Sequence, residues 1–127
     1  MEKQIINTKN APAAIGPYSQ AVKVGNLLYT SGQLAINSVT GEFVNDDIKK
    51  ATAQSLDNVA AILAEDGTSL DKVVKTLVFL KDMNDFADMN EVYAQYFSTN
   101  PPARSCVQAA KLPKDALVEI EVIAIVD

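Results

Sequence analysis

The chain contains no histidine and no tryptophan, and among 127 residues it holds one cysteine and one arginine. Without an imidazole, Ser-His-Asp and Cys-His nucleophilic catalysis and His-ligated metal centres are all excluded. A single cysteine forms no internal disulfide, which fits a reducing compartment. Neither GxGxxG nor GxxxxGK[ST] occurs, so the common dinucleotide and phosphate-loop signatures are missing. No segment approaches the roughly 18 consecutive apolar residues of a membrane span, and "MEKQIINTKN" has no apolar run after its charges, so the expectation is a cytoplasmic protein with no membrane association. The net charge of −5, with no basic stripe to offset it, argues against nucleic acid as a partner.

What is present reads as one globular domain over 1–127. Hydrophobic residues make up 48% and charged residues 21%, enough apolar matter for a single core, and no low-complexity tract interrupts it. In "QAVKVGNLLYTSGQLAIN", two β-rich runs flank Gly25-Asn26, a pair suited to a two-residue hairpin turn. "NDDIKKATAQSLDNVAAILAEDG" spaces Ile48, Ala51, Leu56, Val59, Ile62 and Leu63 as one helical stripe, with Asn45 or Asp46 as N-cap and Gly67 beyond the end. "VVKTLVFL" is short, β-branched and apolar on both sides, as a buried strand should be. "NDFADMNEVYAQYF" predicts a second helix capped by Asn84 or Asp85, with Phe86, Tyr93 and Phe97 in the core. "RSCVQAA" and "LVEIEVIAIV" read as strands joined by "KLPKD". The order β-β-α-β-α-β-β implies an α+β fold with helices layered on one sheet.

Ten lysines accompany the single Arg104. Alternation along a strand puts Arg104, Cys106 and Gln108 on one face, and Glu119 and Glu121 on one face of the last strand. Pairing the two strands through a four-residue loop would set Ala110 opposite Asp115, Cys106 opposite Glu119 and Arg104 opposite Glu121. The patch then reads either as a cross-strand ion pair or as a site, in which the guanidinium fork binds a planar carboxylate bidentately as an ammonium cannot. Cys106 lacks a histidine to activate it, and a strand cysteine is ordinarily a small apolar filler, so its backbone matters more than its thiol. Tyr18 follows a Gly16-Pro17 turn and is either a packing residue or a cleft residue. Gly32 marks a β-bulge or a close approach, and Asn90 is by default a solvated helix position.

Taken together, "APAAIGPYSQAV", "YTSGQ", "SLDNVAAIL", "VVKTLVFLKDMNDFADMNEVY" and "PPARSCVQAAKLPKDALVEIEVIAI" resemble the RidA (YjgF) family of reactive-imine deaminases over nearly the whole chain. The resemblance implies a chorismate-mutase-like α+β domain with a mixed β-sheet and two helices on one face. It implies a homotrimer with clefts between subunits and no cofactor or metal. It implies hydrolysis of 2-iminobutanoate and 2-iminopropanoate, products of PLP-dependent dehydratases, to 2-oxo acids and ammonia, which would limit damage by 2-aminoacrylate. Arg104 would then hold the substrate carboxylate, the main chain at Cys106 the imine nitrogen, and Glu119 the attacking water. Tyr18 would close over the ligand, with Ser31, Gly32 and Asn90 lining the cleft. The compact linker "STNPPAR" would shape the cleft rim. The alternative is a trimeric protein that binds 2-oxo acids or similar small carboxylates without turnover. RNA cleavage, suggested for some relatives, fits poorly with the charge and the missing histidine.

Overall fold

The computed structural model describes all 127 residues. In chain order the elements are β1 (Lys3–Ile6), β2 (Ala21–Val24), β3 (Leu27–Thr30), α1 (Ile48–Glu65), β4 (Val73–Leu80), α2 (Phe86–Tyr96), β5 (Ala103–Gln108) and β6 (Val118–Ile125). The strands form one six-stranded sheet in the order β1-β2-β3-β6-β4-β5. All neighbours are antiparallel except β4 and β5, which run parallel with α2 as their crossover. This is the expected mixed α+β architecture with one strand added at the start, because "KQII" is too short and too exposed to carry a periodic signal.

Local chemistry explains most boundaries. The β2–β3 hairpin turns at Gly25-Asn26, where Gly25 takes a φ of 59°. Asp47, one or two residues later than expected, caps α1 by accepting from the Lys49 and Lys50 amides at 2.8 and 3.2 Å. Asn45 is engaged elsewhere: its side chain donates to the Asp115 carbonyl and accepts from the Leu117 amide. Gly67, at φ 75°, ends α1, and the Thr68 amide returns to the Leu63 carbonyl. Ahead of α2, Asp82 caps a single 3-10 turn over Met83–Asp85, so the expected Asn84 or Asp85 side-chain cap is not formed.

One expectation is overturned. β5 does not pair with β6, because β4 lies between them: Arg104 opposes Thr76, which opposes Val122, and Cys106 opposes Val78, which opposes Ile120. The reason is burial. β4, apolar on both faces, takes an interior position, whereas Arg-Ser-Cys-Val-Gln, with two polar residues and a cation, is suited to an edge. The proposed pairing of Arg104 with Glu121 therefore does not exist within the chain.

Both helices pack on one face of the sheet. Leu56, Val59, Ile62 and Leu63 of α1 are fully buried against Val78, Leu80 and Ile120, each such side chain contributing about 1.5–3 kcal/mol. The other face carries Glu119, Glu121, Ile123, Leu77, Phe79, Val107, Tyr29 and Ile5 by register, and no element of the chain covers it. No helix is long and apolar enough to cross a membrane.

Candidate active site

Arg104 projects from β5 toward α2. Its Nη1 donates to Asn90 Oδ1 at 2.7 Å, and its guanidinium carbon sits 4.7 Å from the Tyr93 ring centroid and 5.4 Å from that of Phe86. Phe86, Asn90 and Tyr93 fall at i, i+4 and i+7, one stripe of α2, so the helix grips the guanidinium from a single face. Tyr93 is fixed in turn by a 2.8 Å hydroxyl contact with Thr76 Oγ1 on β4, and burial pushes its hydroxyl above the usual tyrosine range. Tyr93 and Phe97 are core residues as expected, but Phe86 is 36% exposed. It packs on Arg104 instead of in the core. No carboxylate of the chain pairs with Arg104. Asn90 is thus no solvated position, and the clamp leaves Nε and Nη2 of the fork free of any protein hydrogen bond.

Cys106 shares this face and is partly buried against the core. Burial pushes its thiol up, outweighing the lowering by Arg104, so the side chain is a poor source of thiolate at neutral pH. Its main chain is better placed. The Ala109 amide donates inward to the Leu80 carbonyl at 2.9 Å. Strand alternation then turns the amides of Val107 and Ser105 inward and those of Arg104, Cys106 and Gln108 outward, off the free edge of the sheet.

A second group gathers at the other face, in a cleft of about 740 Å³ lined by Tyr18, Ser31, Gly32, Lys114, Glu119 and Glu121. Gly32 lies beyond β3, where Gln33 bridges to Ile120. A Cβ at Gly32 would stand 2.7 Å from Glu119 Cδ and Oε2, so the glycine leaves room for that carboxylate, which any larger residue would push aside. Ser31 is tied to the Tyr18 loop, its amide donating to the Gln20 carbonyl at 2.9 Å and its hydroxyl to the Ser19 carbonyl at 2.6 Å. Tyr18 itself is 53% exposed over the cleft, after a tight turn at Gly16 with φ 125°. Glu119 is held above the usual carboxylate range, first by burial and second by the negative charge of Glu121.

Residues that sequence reasoning overlooked hold this cleft in shape. Gln20 is buried, accepting from the Thr8 amide at 2.7 Å and donating to the Thr8, Ala11 and Pro12 carbonyls at 3.1, 3.3 and 2.7 Å. From α1, Ser55 donates to the Gln33 carbonyl, and Asn58 to those of Leu34 and Ile36. The only available signal was three polar residues, Gln20, Ser55 and Asn58, set in otherwise apolar patterns. If Glu119 takes part in a reaction, Gly32→Ala is expected to displace it and lower kcat/KM by about ten- to a hundredfold, the scale of effect of misplacing a reacting group by an ångström. Unaltered kinetics in this variant would show that the contact is not needed for activity.

The predicted site residues therefore form two groups. Tyr18, Ser31, Gly32 and Glu119 share the cleft, whereas Arg104, Cys106 and Asn90 sit at the β5 edge beneath α2. β4 separates the groups by two strand spacings, about 10 Å, and the Arg104 and Glu119 side chains leave opposite faces of the sheet. One chain does not bring its cation and its cleft carboxylate together. No cluster of three or more Cys, Asp or Glu side chains is arranged to hold a metal ion.

The sequence profile described as endoribonuclease L-PSP matches residues 8–126. A RutC family protein of Pyrococcus horikoshii is 57% identical over 122 residues, covering 96% of this chain and 97% of that protein. The 2-iminobutanoate/2-iminopropanoate deaminase of Escherichia coli is 52% identical over 123 residues, covering 94% and 95%. The crystal structure of E. coli TdcF with bound serine matches with a TM-score of 0.92 at 46% identity, over 98% of this chain and 99% of that one. With a profile match over nearly its whole length and relatives above half identity, the chain belongs to the endoribonuclease L-PSP, or RidA, family.

Proposed function

We propose that this protein hydrolyses small 2-imino acids, such as 2-iminobutanoate and 2-iminopropanoate, to 2-oxo acids and ammonia, in sites assembled between copies of the chain. The observation that carries the reading is the separation of two complementary half-sites: an unpaired, aromatic-clamped Arg104 at one edge and an unpaired Glu119 in a cleft on the other face. Arg104 receives the substrate carboxylate on the free part of its fork. The outward main chain at Cys106 hydrogen-bonds the imine nitrogen. From a neighbouring copy, Glu119 holds the attacking water, Tyr18 closes over the ligand, and Ser31 and Gly32 line the wall beside Asn90. An imine carbon is already electrophilic, so orientation and one carboxylate suffice, and the reaction calls for no cofactor.

Self-association is supported by the uncovered sheet face, where Ile5, Tyr29 and Val107 are 52%, 43% and 47% exposed. We propose a homotrimer, in which a closed ring of head-to-tail contacts would place one composite cleft between each pair of neighbouring copies. Light scattering should return three times the 13.7 kDa chain mass; a monomer would contradict the proposal. In a threonine dehydratase reaction with semicarbazide as imine trap, the protein should divert imine from semicarbazone to 2-oxobutanoate. An undiminished semicarbazone yield would exclude deamination. Saturable binding of 2-oxobutanoate without turnover would then support the second reading, a carboxylate-binding protein, which the serine bound by the TdcF relative favours.

A further inference from the structure

Glu121 has no role in the reading above, and its position calls for one. Glu119 and Glu121 are alternate residues of β6, so their side chains leave the same face, with Cα atoms about 7 Å apart. Both line the cleft, and neither forms an ion pair within the chain. Their neighbours across the ladder on β4 are Phe79 and Leu77, and Ile123 follows on β6. The other groups facing the pair do not neutralise it. Lys114 lines the mouth of the cleft on the turn before β6, Tyr18 lies on the loop above, and the Ser31–Gln33 segment carries no charge. Lys75 of β4 stands opposite Ile123, beyond Glu121, and its Nζ reaches away to Ser105 Oγ at 3.3 Å. Arg104 leaves the opposite face, and in a composite site it would arrive already matched by the substrate carboxylate.

We propose that Glu121 is a positioning residue that adds its negative charge to the effect of burial in favouring the protonated form of Glu119, so that Glu119 acts first as an acid and then as a base. This rests on the deaminase reading. The protonated Glu119 carboxyl gives its proton to the imine nitrogen, forming an iminium and a carboxylate. Water adds to the carbon as one of its protons passes to that carboxylate, giving the carbinolamine. The carboxyl returns the proton to the amine nitrogen, the C–N bond breaks, and ammonia leaves with the pair of electrons. The remaining hydroxyl proton passes to Glu119 as the carbonyl forms. One water is consumed, one ammonia and one oxo acid are released, and Glu119 ends protonated as it began.

The test is the pH dependence of the intact assembly with Glu121→Gln, which keeps the shape and removes the charge. In the wild type, kcat/KM should fall as pH rises through the ionisation of Glu119. With its negative neighbour gone, Glu119 ionises more readily, so the falling limb should move to lower pH and the rate at a fixed pH on that limb should drop severalfold, while burial, unchanged in the variant, keeps its own part of the upward shift. Glu121→Asp, which retains the charge, should restore the wild-type limb. The same downward shift should appear in the carbon-13 titration of the Glu119 side-chain carboxyl, assigned by its loss in Glu119→Gln and independent of turnover. A titration of Glu119 that is unmoved or moves upward in Glu121→Gln overturns the inference. Absence of wild-type turnover alone would instead overturn the deaminase reading, leaving the titration to decide whether Glu121 favours the protonated form.

Discussion

Arg104→Ala is expected to abolish saturable binding of 2-oxo acids and to lower kcat/KM for 2-imino acids by roughly a hundredfold to ten-thousandfold. Charged hydrogen bonds contribute about 1.5–3 kcal/mol each, and a bidentate fork supplies two of them. The loss should fall chiefly on KM, because the proposed anchor would contact a carboxylate that is present in both ground and transition states. Arg104→Lys should not rescue it. An ammonium has the charge but neither the planar fork nor the flat surface that Tyr93 and Phe86 cover at 4.7 and 5.4 Å. Steady-state kinetics with titration calorimetry of 2-oxobutanoate checks both statements. Full recovery in the lysine variant would mean that charge alone, and not the clamped geometry, is used.

Glu119→Gln is expected to act on the opposite parameter. Proton transfer by a positioned side chain is worth about 10²–10⁴ in rate, so kcat should fall by that order while 2-oxobutanoate affinity changes little. Glutamine keeps the shape of the side chain in the space that the missing Cβ of Gly32 leaves for it. A large loss of binding with unchanged kcat would place Glu119 in substrate recognition instead of chemistry.

The elements that local chemistry decides were legible in the sequence. Gly25-Asn26 specified its hairpin, the Ile48 to Leu63 stripe specified α1, and "VVKTLVFL" became β4 without displacement. The pairing of β5 was not legible in the same way. "KLPKD" suggested a local hairpin, whereas the true partner of β5 is reached through the α2 crossover. β4, more apolar than β5, takes the interior position between β5 and β6, while the polar Arg-Ser-Cys-Val-Gln strand takes the edge.

The site divides along the same line. A lone arginine among lysines drew attention to Arg104 as a candidate anchor, but its clamp depends on Phe86, Asn90 and Tyr93 sharing a stripe of α2, a spacing that on sequence alone reads as core packing. Gln20 gave still less warning. Its four contacts hold residues 8 to 12 and so the base of the Tyr18 loop, and a glutamine's partners cannot be read from its own position.

Complementation between the two impaired variants would show whether the site is built between copies. Arg104→Ala and Glu119→Gln proteins, unfolded together and reassembled, should regain activity. In a ring with random assortment, roughly a quarter of the clefts would combine an intact Arg104 from one copy with an intact Glu119 from the next. Activity near that fraction of wild type is the predicted result. Reassembled trimers of mixed composition with no more activity than either parent would contradict a site built between copies.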